Sequence, residues 1–269
     1  METWNQVLNF TLKAINTRTS IDRDGELYLE EGKVGADMLS RWAAVKSSDP
    51  LKMSTRDVVV HLSTNVFAGS DTTAIALRAI LYFLIKNPTK MQKLVSEIDE
   101  ADRAGKLSNP IQDKEARTEL PYLNAVIKEA MRLHPSVGLL LERHAPAGGA
   151  TICGTHIPGG TIVGINAWVL HHDPDVFPNP SAFEPERWLA TEKNEEHMTK
   201  MERSFFPFGA GSRLCIGRNI SMIEMRKIIP QLLRDFEIEI PGNKEWEIRN
   251  SWFVQQKMPM CMLTRRAKT

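Results

Sequence analysis

The sequence predicts a mainly α-helical chain with small β-sheets, and three features point that way. The segment Thr55 to Ile85 is apolar nearly all round, the mark of a long central helix. A second segment, opening at Pro121, repeats apolar residues (Leu123, Val126, Ile127, Ala130, Met131) at the i, i+3, i+4, i+7, i+8 spacing of one helix face. From Leu139 to Trp168 the pattern becomes short β-prone runs separated by Gly and Pro turns.

Along the chain, residues 1–57 read as helical pieces around a polar loop. Asp22-Arg23-Asp24-Gly25 is a turn rather than a calcium loop, because its glycine comes too early and a third acidic ligand is missing. Asp37 to Val45 is a short amphipathic helix closed by Ser47, Ser48, Asp49 and Pro50. The Thr55–Ile85 helix would span roughly 45 Å. Asn87-Pro88 ends it and opens the next helix, with Asn87 as cap and Pro88 in the first turn, running to near Gly105. Pro135 ends the Pro121 helix. After the strand region come a proline-studded meander (Asp173-Pro174 to Glu184-Pro185) and a charged surface excursion, Glu192 to Arg203. A glycine loop at Phe208 to Gly217 then leads into a last helix, and strand-like Phe236–Ile240 and Trp252–Thr264 close the chain.

Composition narrows the function classes. Of 269 residues, 42% are hydrophobic and 25% charged, an ordinary globular balance. Lys+Arg 34 against Asp+Glu 33 leaves a net charge of +1, which gives no support for a nucleic-acid binder. Three cysteines (Cys153, Cys215, Cys261) form no disulfide framework and suit a reducing compartment. Met1 to Lys13 lacks the apolar core of a signal peptide. The most apolar stretch, Ala74 to Ile85, is interrupted by Arg78, and a bilayer needs about 20 apolar residues. The chain as it stands is expected to be soluble or peripherally attached.

Chemistry concentrates around Cys215. In Phe205-Phe206-Pro207-Phe208-Gly209-Ala210-Gly211-Ser212-Arg213-Leu214-Cys215-Ile216-Gly217 two glycines bend the backbone ahead of the thiol, and a helix begins at or just after it. A thiolate there would face the positive end of the helix dipole and unpaired N–H groups, with Arg213 beside it, which suits a metal ligand or nucleophile. An isolated cysteine is otherwise a small buried hydrophobe. A dinucleotide loop is excluded, since the third glycine of GxGxxG falls on Leu214.

The pattern Phe208-x-x-Gly211-x-Arg213-x-Cys215-x-Gly217 resembles the haem-binding loop of cytochrome P-450 monooxygenases. The resemblance implies the C-terminal part of that fold, with Cys215 as axial thiolate of a haem iron, Phe208 near the macrocycle and Arg213 on a haem propionate. A thiolate pushes electron density onto iron and favours O–O cleavage. Glu129-Ala130-Met131-Arg132 is similar to the family's ExxR. Its i, i+3 spacing puts acid and base on one side of a helix, and Arg187 in Pro185-Glu186-Arg187-Trp188 matches the third partner. The alternative is a surface ion pair worth about 0–1 kcal/mol. Ala68-Gly69-Ser70-Asp71-Thr72-Thr73 resembles the oxygen-activation segment. There Gly69 lets the helix open or kink, and the Asp71–Thr72 pair passes protons into an apolar pocket where dioxygen is reduced. Arg143 stands where the family has a second propionate-binding arginine. His171-His172-Asp173-Pro174 is similar to the HRDP segment with His172 for arginine. Cys153 with His156 lacks zinc-site spacing, and Cys153 and Cys261 read as structural.

Covering nearly the whole chain, 1–269, the resemblance implies a partial P-450 domain, from before the oxygen-activation helix to the carboxyl end. The N-terminal half and membrane anchor are expected to lie outside it. In style it is most similar to fungal microsomal members, including the pisatin demethylase-like group. It implies haem as cofactor, a lipophilic small-molecule substrate, and NADPH acting indirectly through NADPH-cytochrome P-450 reductase. That partner would dock on Arg213, Arg218, Arg226 and Lys227. Full-length relatives are expected at the endoplasmic reticulum membrane, in fungal secondary metabolism. The competing expectation is a truncated, inactive fragment that does not retain haem. A haem-thiolate isomerase is disfavoured because it has no need of Asp71 and Thr72.

Overall fold

The computed structural model describes residues 2–17, 19–21, 27–29, 37–49, 51–191 and 194–267, so the turn at Asp22–Gly25 lies outside the described residues. The chain divides into two compact units, residues 1–71 and 72–269. In the first, helix α1 (Glu2–Asn16) precedes an antiparallel hairpin of β1 (Thr19–Ile21) and β2 (Leu27–Leu29), then α2 (Met38–Ser48) and the start of α3 (Thr55–Lys86). Asp37 caps α2 rather than lying within it: its carboxylate accepts from the Ser40 N–H at 3.0 Å. The small core of this unit is Ile15 and Ala43 with Val59 and Leu62 against them.

The second unit continues α3 into α4 (Pro88–Arg103), α5 (Asp113–Glu119) and α6 (Pro121–Leu133). Then come β3 (Leu141–His144), β4 (Ala150–Ile152), β5 (Thr155–Ile157), β6 (Ile162–Ile165) and a short α7 (Ala167–His171). After a 3-10 turn at Pro185–Trp188 follow α8 (Glu195–Arg203), α9 (Arg218–Asp235), β7 (Phe236–Glu239), β8 (Glu247–Asn250), β9 (Val254–Lys257) and β10 (Met262–Arg265). The strands make two-stranded antiparallel sheets: β3 with β6, β4 with β5, β7 with β10, β8 with β9. The core lies between α3, α4, α6 and α9, with Ile80, Leu84, Leu94, Ile98, Leu123, Val126, Ile127 and Ile229 all fully buried.

Several local expectations change. Val58 on α3 is buried but Val60 is 50% exposed, so the helix is not buried all round. Over its 32 residues α3 has the length and composition to cross a membrane, but Ile75, Ala79, Ile80 and Leu84 are packed within the second unit. It runs as unbroken helix through Gly69. Asn87 is the N-cap of α4 as expected, its carbonyl accepting from the Lys90 and Met91 N–H groups, but its side-chain amide donates back to the Phe83 carbonyl of α3 at 2.8 Å. The charged stretch before Arg203 contains α8, which buries Met201. Helices α5 and α7 are too short to carry a readable period.

Candidate functional site

Helix α6 sets the frame. Glu129 and Arg132 sit one turn apart on its buried side, both 0% exposed, and the Glu129 carboxylate accepts five hydrogen bonds. Arg132 supplies two of them, Nε at 2.9 Å and Nη2 at 2.8 Å. The others come from Arg187 Nε at 3.0 Å, Trp188 Nε1 at 2.8 Å and the Glu184 N–H at 3.0 Å. The other guanidinium bonds run to backbone carbonyls, from Arg132 to those of His171 (2.8 Å), Pro180 (2.7 Å) and Ala182 (3.1 Å) and from Arg187 to that of Pro178 (2.8 Å), and from Arg187 Nη2 to the Glu184 carboxylate at 2.9 Å. Prolines cannot donate to a ladder, so this meander is hung on two arginines instead of a sheet. A buried ion pair stabilises only when its lone pairs and protons are all matched, and that condition is met here.

The cysteine loop lies downstream of this frame. Phe208 packs against the main core. Gly209 (φ +71°) and Gly211 (φ +69°) take left-handed backbone that a side chain disfavours, and this reverses the chain. The Cys215 N–H donates to the Phe208 carbonyl at 3.0 Å, so the turn closes on itself and leaves the thiol exposed. Helix α9 begins only at Arg218, with Gly217 as its cap, so the sulfur lies ahead of the first turn rather than within it. A Cβ on Gly217 would sit 3.8 Å from the sulfur, so glycine keeps that flank open. Leu214 and Ile216, 40% and 94% exposed, flank the sulfur in sequence. Arg213 is exposed, and the exposed Arg143 on β3 turns toward the loop, with Nη2 3.4 Å from the Ala210 carbonyl. A soft sulfur donor, an open flank, apolar surroundings and two cations suit a flat, apolar, carboxylate-bearing metal cofactor.

Asp71 is exposed and Thr72 half-buried on α3. At the next residue the Thr73 and Ser221 hydroxyls lie 3.1 Å apart and tie α3 to α9. The Ser136 hydroxyl donates to the Thr72 carbonyl at 2.9 Å and the Gln256 amide to that of Ile75 at 2.9 Å. Ser136, Ser221 and Gln256 carry no signal in the sequence, because each acts only across elements distant in the chain. Trp188, by contrast, directly follows Arg187 in Pro185-Glu186-Arg187-Trp188.

Beside the loop runs a groove of about 620 Å³, lined by Phe205, Pro207, Phe208 and Leu214, by Arg218 and Arg226 of α9, and by Arg117 and Lys128. Asp113 and Glu202 also line it, giving four cations against two carboxylates. Of the basic residues singled out in the sequence, Arg218 and Arg226 line this groove, where Arg117 and Lys128 accompany them. Among the described residues no cluster of three His, Cys, Asp or Glu could hold a bare metal ion, and His172 stacks on Trp168 with ring centroids 4.4 Å apart.

The family model for cytochrome P450 matches residues 2–263. A cytochrome P450 monooxygenase, cicH, of Emericella nidulans is 40% identical over 252 residues, 93% of this chain and 49% of the relative. A pisatin demethylase of Fusarium vanettenii is 46% identical over 205 residues, 76% of this chain and 38% of the relative. The structure resembles a zebrafish cytochrome P450 solved with progesterone, with a TM-score of 0.67 and 29% identity over 80% of this chain and 47% of that one. The chain belongs to the cytochrome P450 family, whose cofactor is haem. It spans about half the length of these relatives.

Proposed function

We propose that this chain supplies the haem-binding and proton-delivering part of a monooxygenase that inserts one oxygen atom from O2 into a lipophilic small molecule. Cys215 would hold the iron, Phe208 would lie against the macrocycle, and Gly211 and Gly217 would let it approach. Arg213 and Arg143 would take the propionates. The haem, when bound, supplies activation of dioxygen. Asp71 and Thr72, consecutive on α3, would hand protons inward. The Glu129–Arg132–Arg187 network would keep the loop in shape. Electrons from NADPH would arrive through a reductase seated on the cationic groove beside the loop. Placement at the endoplasmic reticulum membrane belongs to the same proposal.

The single observation carrying this reading is the Cys215 thiol, exposed on a loop whose backbone closes behind it. The purified chain, titrated with haem and reduced under carbon monoxide, should give the thiolate-type band near 450 nm expected of the family. Cys215→Ser should abolish it, and Cys153→Ser and Cys261→Ser should not. A band surviving in Cys215→Ser would end the assignment.

A second reading, a chain that on its own retains no haem and has no activity, is favoured by the exposure of Ile216 at 94% and Ile220 at 54% next to the thiol. A flat titration of the wild-type chain would select it.

A further inference from the structure

His171 is fully buried at the end of α7, and the reading above gives it no role. Both ring nitrogens are engaged, and each faces a backbone group of a different element. Nε2 lies 2.8 Å from the Phe206 nitrogen. An amide N–H can only donate, so Nε2 is the bare acceptor. Nδ1 therefore carries the proton and donates to the Arg132 carbonyl at 3.0 Å. Arg132 answers by donating from Nη1 to the His171 carbonyl at 2.8 Å, so α6 and α7 clasp one another through both side chains. The ring also stacks on Phe205, with centroids 5.5 Å apart, and meets Phe177 edge-on at 6.2 Å.

Phe206 opens the loop that ends at the thiol. Two residues on, the Phe208 carbonyl receives the Cys215 N–H. A continuous set of bonds thus runs from the Glu129 carboxylate through Arg132 and the His171 ring to Phe206, and from there to Cys215.

We propose that His171 is a positioning residue for the cysteine loop: its imidazole bridges the Arg132 carbonyl to the Phe206 N–H and so transmits the rigidity of the buried Glu129–Arg132–Arg187 network to the Cys215 thiol. The bridge itself stands on the geometry alone. Its consequence for haem rests on the reading of Cys215 given above.

Two isosteric variants separate the halves of the bridge. His171→Gln places an acceptor near the Nε2 position and keeps the bond to Phe206. His171→Asn places a donor near Nδ1, keeps the bond to Arg132 and leaves the Phe206 N–H unpaired. The readouts are hydrogen exchange of the Phe206 amide and iodoacetamide alkylation of Cys215, with the exposed Cys153 as internal reference, both on the full chain without haem. Loss of one buried bond is expected to lower Phe206 protection about tenfold in His171→Asn, while His171→Gln stays within about twofold of wild type. Alkylation of Cys215 should change in the same variant and not in the other. Equal behaviour of the two variants would overturn the proposal, because the ring would then act only by filling space. An unprotected Phe206 amide in the folded wild-type chain would overturn it without any variant. Neither readout needs haem, so failure of the cofactor assignment leaves this result intact.

Discussion

Glu129 is fully buried, and its carboxylate is matched by five donors from Arg132, Arg187, Trp188 and the Glu184 N–H. Removing one member leaves its partners charged and dry, whereas the whole network is balanced. Glu129→Ala and Arg132→Ala should each cost roughly 3–5 kcal/mol in urea unfolding, and the double variant much less than their sum. Additive losses below about 1 kcal/mol, typical of surface pairs, would contradict the burial.

Two histidines make stability depend on pH. Burial pushes His134 and His171 down to about 4, despite favourable bonds to the Val254 and Arg132 carbonyls. In the unfolded chain a histidine takes its proton near 6.5. Between those values the unfolded state binds more protons, so acid favours unfolding. The contribution of these rings is full above about pH 6.5, falls as pH drops, and is gone by about pH 4, on the order of 3 kcal/mol per ring. Urea midpoints at pH 7 and 5 should differ in that direction. His134→Gln should flatten part of the slope.

At the scale of elements, two glycines separate turn from helix. Gly211 has open space around its Cα and a φ of +69°, so Gly211→Ala meets only backbone strain, about 1–2 kcal/mol, and should weaken haem titration. Gly69 also has open space but lies within α3, where alanine is favoured by roughly 1 kcal/mol. Gly69→Ala should therefore raise the melting temperature, and a fall would point to strain that the unbroken helix does not have. Thr72→Ala, on the same helix, should leave haem titration unchanged, which separates proton delivery from cofactor binding.

For the whole molecule, exposed apolar side chains are the controlling feature. In the second unit Ile216, Val169, Ile162 and Trp252 are 94%, 68%, 57% and 59% exposed, and Met260 is 87% exposed. Each large side chain left in water forgoes roughly 1.5–3 kcal/mol, against a typical total stability of about 5–15 kcal/mol. The isolated chain is expected to self-associate in size-exclusion chromatography. A monodisperse monomer with a cooperative melt would show the reverse.

What the sequence determined by itself is what local chemistry dictates. Pro121 and the period of Leu123, Val126 and Ala130 mark α6, and Gly209 and Gly211 mark the bend before Cys215, because turn geometry and helical period are properties of neighbouring residues. The motifs placed Glu129, Arg132 and Arg187 in one group before any contact was visible. Only the tertiary structure decided the rest. The Asn87 side chain turns back to α3, α7 is too short to leave a period, and Arg117 and Lys128 stand with Arg218 and Arg226 along the groove. His171 was one histidine among several in the sequence. Its role depends on a carbonyl 39 residues before it and an N–H 35 residues after it, and such pairing is set by packing rather than by spacing along the chain.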